Sequence, residues 1–408
     1  MTGGARAIAR CAALGRAPYS DMADGLYRGW LTPAFRAARD ALSMWMTEAG
    51  MTVRTDTATN LIGRYDGLGD GPPLIIASHL DSVHDAGFYD GPLGIMLGIE
   101  CVAALAAQQR RLPFPIEVIA FGDEEGSRFP AAMLTSKALA GALDAVPAMA
   151  DRDGVTLATA LAGFGTSPEL LAAARHPGAL AYLEAHIEQG PVLEAEGLAL
   201  GVVTGIAAQT RFAVVVTGQA GHAGTSTMAL RRDALTGAAE MVLAVERIAH
   251  ETGGDLVATV GRLETRPGAA NVIPGEVRFT IDVRSGDEAR RNDAAATMRD
   301  AIVVIADRRG LDFSVERVHD LPAAPCDPRL ADLLETALVE AGHPARRLVS
   351  GAGHDAMVMA PLAPAAMLFI RCRAGISHNP AEHAEPADAQ AALAVMLGFI
   401  AKLGELRA

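Results

Sequence analysis

The stretch Ile75-Ile-Ala-Ser-His-Leu-Asp-Ser-Val-His-Asp-Ala-Gly-Phe-Tyr-Asp-Gly-Pro-Leu-Gly94 decides how the chain is read. The apolar run from Leu74 to Ala77 predicts a buried strand ending on His79 and Asp81, which lie on the same side of an extended chain. A carboxylate so placed can hold one imidazole nitrogen while the other binds a metal. Asp90 follows in a loop with Gly87, Gly91 and Gly94, where backbone can approach an ion closely. Alone, a His-x-Asp pair more often marks a strand followed by a polar loop. The rest of the chain changes that balance.

Upstream, residues 33–50 read as an amphipathic helix, with Pro33 suited to its first turn and Gly50 to its stop. Strands are expected around 61–65 and 73–78, a helix at 93–109, and an apolar strand from Ile116 to Phe121. This alternation predicts an α/β sheet of largely parallel strands, with binding groups collected at their C-terminal ends. The strand at Phe121 leads into Gly-Asp-Glu-Glu-Gly-Ser-Arg-Phe129. Carboxylates crowded at the end of a buried strand repel one another unless a cation neutralises them. Adjacent side chains diverge, so Glu125 can ligate a metal while Glu124 faces a water. Without other ligands nearby, a solvated acidic turn is the better reading.

Residues 135–180 are Ala-rich, with helical segments broken near Gly154 and Gly163. Ala185-His-Ile-Glu-Gln-Gly-Pro then offers His186 as a ligand and Gln189 as a polar group placed to orient a substrate. From Thr210 to about Asp320 the pattern becomes strand (211–217), helix (231–250), strand (256–264), strand (277–284), helix (287–309), strand (313–318). That is the βαββαβ order of a ferredoxin-like domain, inserted at 207–322 between two parts, 1–206 and 323–408, of a catalytic metal-binding domain. Its polar loops carry His222 and Asn271, each alone consistent with an ordinary turn. After Pro322 come a helix (329–341), the glycine-rich loop Ser350-Gly-Ala-Gly-His-Asp355, a buried strand (366–371), His378 just beyond it, and a closing helix (388–406).

The chain has 408 residues, half of them hydrophobic, with a net charge of −13. No Lys/Arg-rich run offsets that charge, so nucleic acid and anionic membranes are not expected partners. Cys11, Cys101, Cys326 and Cys372 are far apart, and the N-terminus has no apolar secretory core; both suit a reduced cytoplasmic compartment. No uninterrupted apolar run of membrane-spanning length is read.

His79, Asp90, Glu125, His186 and His378, each at the end of an element, suit two divalent ions sharing Asp90. Imidazole and carboxylate without thiolate fit Zn²⁺ or Mn²⁺. Glu124 beside a ligand is a natural general base.

With these residues assembled, the chain resembles the dinuclear metal amidohydrolases related to aminoacylase and carboxypeptidase G-type peptidases. The likeness is to the branch holding allantoate amidohydrolases, N-carbamoyl-L-amino-acid hydrolases and β-ureidopropionases. It rests on Ser-His-Leu-Asp-Ser-Val, Tyr-Asp-Gly-Pro-Leu-Gly, Asp-Glu-Glu-Gly-Ser-Arg-Phe, His-Ile-Glu-Gln-Gly-Pro, Gly-His-Ala-Gly-Thr, Ser-Gly-Ala-Gly-His-Asp-Ala and Ile-Ser-His-Asn-Pro-Ala-Glu.

The resemblance implies a zinc-peptidase-like α/β catalytic domain with the inserted domain as dimerisation lid. One ion is held by His79, Asp90 and His186, the other by Asp90, Glu125 and His378. Asp81 supports His79, Glu124 activates water, and His222 reaches the partner subunit's site to steady an oxyanion. Arg211, Asn271, Arg284 and Gln189 receive a substrate carboxylate. The expected reaction is hydrolysis of a small anionic ureido compound, allantoate first, giving ureidoglycine, ammonia and CO₂, with His354 or Gln189 contacting the second ureido arm. N-carbamoyl-L-amino acids or β-ureidopropionate are the alternative, and a dinuclear aminopeptidase or dipeptidase a further one. Ser82, Thr59-Asn60 and Lys137 depart from the family's usual residues, and Lys137 bears on substrate contacts.

Overall fold

The structure, a computed structural model, describes residues 1–143 and 145–407. They form two compact units: residues 1–204, 326–348 and 353–408, and residues 205–325 with 349–352.

In the first unit the sheet runs Thr52–Thr55, Leu61–Tyr65, Ile116–Phe121, Leu74–His79, Ala181–Ile187, Ala365–Ile370, Leu200–Ile206. Ile116–Phe121, Leu74–His79, Ala181–Ile187 and Ala365–Ile370 are mutually parallel, and the flanking strands antiparallel. Those central strands are buried at every position, as strands covered on both faces must be. Because they run the same way, their C-terminal ends share one edge. His79 faces Phe121 across one register and His186 faces Phe369 across another, so the ligand-bearing segments leave the sheet side by side.

Helix Pro33–Glu48 starts where expected: Thr32 Oγ1 accepts from Phe35 N–H, Pro33 fills the first turn, and Gly50 stands just past the end at φ +90°. Helix Pro92–Ala107 is buried on nearly every side, packed on the strands beneath it and against helices Gly3–Leu14 and Pro386–Glu405. The first of those was not read from the sequence. Its signal is the buried set Ala7, Ile8, Cys11, Leu14 at helical spacing after the cap Thr2. Arg6 and Arg10 on it pair with Glu100, a carboxylate buried in the core helix. Helix Pro386–Glu405 is apolar and long enough to cross a bilayer by composition, but 56% of its most apolar 18-residue stretch is buried inside the protein. Thr59 sits at φ +70°, a region β-branched residues avoid, and its hydroxyl accepts from Trp30 Nε1 at 2.8 Å.

The second unit has the antiparallel sheet Leu263–Arg266, Glu276–Ser285, Ala208–Thr217, Asp312–Leu321. Helices Ala234–Thr252 and Glu288–Arg309 cover the face bearing Phe212, Val214, Val216, Val277, Phe279, Ile281 and Val283. The expected single strand at 256–264 is two pieces, Val257–Thr259 and Leu263–Arg266. Val260 to Arg262 face only Thr280 and Ile281, so one extra residue bulges out and the pairing breaks there.

Candidate active site

The first unit's ligands are gathered at the shared strand edge. His79 ends its strand, and Gly91 can approach it only because it lacks a side chain: a Cβ there would lie 2.5 Å from His79 O and 2.6 Å from the ring. Gly91 has φ +82° and opens helix Pro92–Ala107, leaving Asp90 aimed back at the histidines.

Asp90 faces both ways. Its Oδ1 lies 3.1 Å from His186 Nε2 and 3.6 Å from His79 Nε2; its Oδ2 lies 3.1 Å from His378 Nε2. His378 Nε2 is in turn 3.4 Å from Glu125 Oε1. His79, Asp90 and His186 thus form one set of converging ligand atoms, Asp90, Glu125 and His378 a second, and His79, Glu124 and Glu125 a third, each within 4.8 Å.

The donor set fits divalent cations on its own chemistry. His79 Nδ1 donates to Asp81 O (3.1 Å) and His186 Nδ1 to Ile187 O (2.9 Å). In the neutral tautomers those bonds impose, both Nε2 atoms carry lone pairs. They face each other across 3.5 Å beside Asp90 Oδ1, which is buried and has no hydrogen-bond partner. Converging electron pairs of this kind repel unless a cation sits among them. Burial disfavours the charged form of Asp90, but the adjacent imidazoles of His186, His378 and His79 outweigh it and hold the carboxyl well below the usual range. Hydrogen bonds from Asp90 and Glu125 lift His378 to about 10.

The acidic turn is built around Asp81. Its Oδ1 accepts from Glu124 N–H (3.1 Å) and its Oδ2 from Glu125 N–H (3.2 Å). Its carboxylate lies 3.6 Å from His79 Nδ1, whose hydrogen bond goes to the Asp81 main-chain carbonyl. The strand stops at His79, so the side-chain alternation does not carry on to Asp81. Burial, with the charges of Glu125, Asp355 and Asp81 adding to it against His79, pushes the Glu124 carboxyl well above its ordinary value.

Gln189, at φ +55°, donates to Asp90 Oδ2 (3.0 Å) and to Ser377 Oγ (3.2 Å). His354 is buried edge-on against His186, ring centroids 4.4 Å apart, and burial pushes its imidazole well below the ordinary histidine value. Lys137 donates to Ala132 O (2.9 Å). Sequence reading passed over Glu184, Ser377 and Glu382. Glu184 accepts from Ser78 and Tyr182 hydroxyls and from Ala356 N–H, fixing the helix start beside His354. The quoted Ser-His-x-x-x-Glu spacing of Ser377, His378 and Glu382 was the available signal for the other two.

In the second unit, Arg211 and Arg284 lie on the sheet face that the helices leave open, with Asp282 opposite Arg211 in register. Both guanidinium groups share Asp282: Arg211 Nε donates at 2.6 Å, Arg284 Nε at 2.8 Å and Nη2 at 3.1 Å. A two-stranded ribbon pairs Val272 with His222, and Ala223 N–H donates to Asn271 O, so His222 and Asn271 share one tip. His222 Nδ1 accepts from Gly224 N–H (3.0 Å). Its neutral ring therefore carries the proton on Nε2, free to donate.

This fold and ligand set define a metal-dependent hydrolase architecture, and the chain belongs to peptidase family M20/M25/M40, whose pattern matches residues 75–402. It is 40% identical to an allantoate deiminase of Arabidopsis thaliana over 97% of this chain and 81% of that one. It is 39% identical to an N-carbamoyl-L-amino acid amidohydrolase of Geobacillus stearothermophilus, over 93% of this chain and 94% of that one. The structure of a hydantoinase/carbamoylase-family amidase from Burkholderia multivorans superposes with TM-score 0.91 at 36% identity, covering 98% of each chain.

Proposed function

We propose that this protein is a cytoplasmic amidohydrolase that uses two divalent ions, Mn²⁺ or Zn²⁺, to cleave the ureido group of allantoate. The observation that carries the reading is Asp90, with one oxygen turned to His79 and His186 and the other to His378 beside Glu125. His79, Asp90 and His186 would hold one ion and Asp90, Glu125 and His378 the other. Bound divalent cations polarise a carbonyl and acidify water. Asp81 aims the acidic turn so that Glu124 takes the proton of the attacking water. Arg211, Arg284 and Asn271, with Gln189, receive the substrate carboxylate, planar Arg offering two parallel hydrogen bonds. His222, acting in the partner subunit's site of a homodimer formed through the inserted domain, donates from Nε2 to the developing oxyanion. The tetrahedral intermediate expels ammonia, taking a proton back from Glu124, and the carbamate left behind loses CO₂ to give ureidoglycine.

N-carbamoyl-L-amino acids are the second reading, favoured by the near-equal likeness to the Geobacillus enzyme. Such a substrate keeps the carboxylate and one ureido arm but replaces the second arm by a side chain. A site with polar groups for that arm rejects an apolar substitute strongly. The test is a substrate panel with purified protein reconstituted with Mn²⁺ or Zn²⁺. Expected is a kcat/KM for allantoate at least about 10²-fold above that for N-carbamoyl-methionine or β-ureidopropionate, with turnover abolished by chelation. Equal or higher efficiency on the N-carbamoyl amino acid assigns the second reading; full turnover after metal removal sinks both.

A further inference from the structure

The two proposed ion sites are unequally built. The His79–His186 side is buried, whereas the His378 side chain is 48% exposed. His378 sits at φ +54° in a loop with no regular secondary structure around it. Something must hold such a ligand in place against the bridging Asp90.

That function falls to a carboxylate the reaction does not use. Beyond His378 the chain turns back on itself, Glu382 N–H donating to Asn379 O and Ala381 N–H to Asn379 Oδ1. The turn brings Glu382 under the loop that carries Asp90. Glu382 Oε1 accepts from the main-chain N–H of Tyr89 (2.8 Å) and of Asp90 itself (3.1 Å). Its Oε2 lies 3.0 Å from the Ser377 hydroxyl, which lies 2.9 Å from Asp90 Oδ2, the oxygen turned to His378. The fit is close: a Cβ on Gly87 would lie 2.3 Å from the Glu382 side chain. Glu382 is only 5% exposed. A single buried side chain thus ties the Asp90 loop to the His378 loop by both oxygens, and its hydrogen bonds go to Tyr89, Asp90 and Ser377 rather than to His79 or His186.

We propose that Glu382, acting through Ser377, is a positioning residue that sets the affinity of the second metal site, the one formed by Asp90, Glu125 and His378, and leaves the first largely alone. The idea rests on the two-ion reading above. Partners that orient ligands in this way typically contribute 10–100-fold to metal affinity.

The test is calorimetric titration of metal-free protein with Mn²⁺, for the native chain, Glu382→Ala, Glu382→Gln and Ser377→Ala. The native chain should bind two ions in separable steps. In Glu382→Ala the weaker step should fall by about 10–100-fold while the stronger moves less than about threefold. Glu382→Gln should recover most of the loss: its carbonyl still accepts from Tyr89 and Asp90, and its amide donates to Ser377, whose hydroxyl then donates to Asp90. A role in general stability would not be rescued in this site-selective way. Ser377→Ala, which removes one hydroxyl and leaves Glu382 bonded to the Asp90 loop, should weaken the same step; it decides the matter if Glu382→Ala does not fold. Unchanged steps in the variants that fold, or equal weakening of both steps, overturn the proposal. A native chain that binds fewer than two ions shows instead that the two-ion reading itself has failed.

Discussion

Glu124→Gln separates the base from the ligands. The turn that presents Glu124 is held by main-chain N–H groups of residues 124 and 125 on the Asp81 carboxylate, so the substitution leaves the frame of Glu125 intact. Glu124 belongs to neither ligand set that shares Asp90, and metal content should stay at the native level. Loss of a general base costs about 10²–10⁴ in rate, or roughly 2.7–5.4 kcal/mol of barrier at 1.36 kcal/mol per decade. The metal-free protein should respond in the opposite direction. Burial pushes the Glu124 carboxyl well above its ordinary value, and Gln mimics its neutral form, so the variant should melt no lower than the native chain. The assay measures kcat at saturating substrate, metal content by mass spectrometry and the metal-free melting temperature on one preparation. A kcat within tenfold of native with both ions bound would refute the assignment of the base; so would a loss of turnover matched by a loss of metal.

Other outcomes test other parts of the site. If His222 works in the neighbouring subunit, His222→Ala and Glu124→Ala should each be nearly inactive alone, yet regain activity when exchanged into heterodimers; confirmed heterodimers without activity argue against it. Gly91→Ala meets His79 at 2.5–2.6 Å in a φ +82° conformation, so it should lower the melting temperature, at a strain cost of about 1–3 kcal/mol, and abolish Mn²⁺ binding at the first site in the same titration. Asp355 is buried beside Glu184, burial and that charge lifting its carboxyl to about 8. Its folded-state value is raised above the unfolded one, so the folded chain keeps an extra proton in between, and stability falls as pH rises toward and through about 8. In metal-free melts, the advantage of Asp355→Asn over the native chain should therefore grow between pH 6 and 9; a constant difference would show that Asp355 is already ionised at pH 6.

Much of the fold was legible because its signals are local. An apolar run bounded by breakers fits only a covered strand, as at Ile116–Phe121, and a Pro at the start with a Gly past the end brackets a helix, as at 33–50. The chemistry was legible for a related reason. Imidazoles and carboxylates placed where strands end must lie at one edge once those strands run parallel, so His79, Asp90, Glu125, His186 and His378 could be grouped before any distance was known. Helix Gly3–Leu14 was not legible although its apolar spacing is regular, because it opens on Gly3 and Gly4, which disfavour a helix. The break in the strand at 260–262 could not be read either, since a bulge depends on the register of a partner strand distant in sequence.

Only the tertiary structure decided which way each side chain turns. Asp81 was expected to hold His79 with its carboxylate, which lies 3.6 Å from His79 Nδ1 and, beyond that expectation, also accepts from the main-chain N–H groups of Glu124 and Glu125. Gln189 was expected to face a substrate, and its amide lies on Asp90. Glu382 is 292 positions from Asp90 in the chain and reaches its main-chain N–H. Residue type and spacing determine which elements form and which ligands they carry, because propensity and periodicity act over a few residues. The pairing of one carboxylate oxygen with one hydrogen is set by packing between segments remote in sequence, where a shift of an ångström exchanges one partner for another.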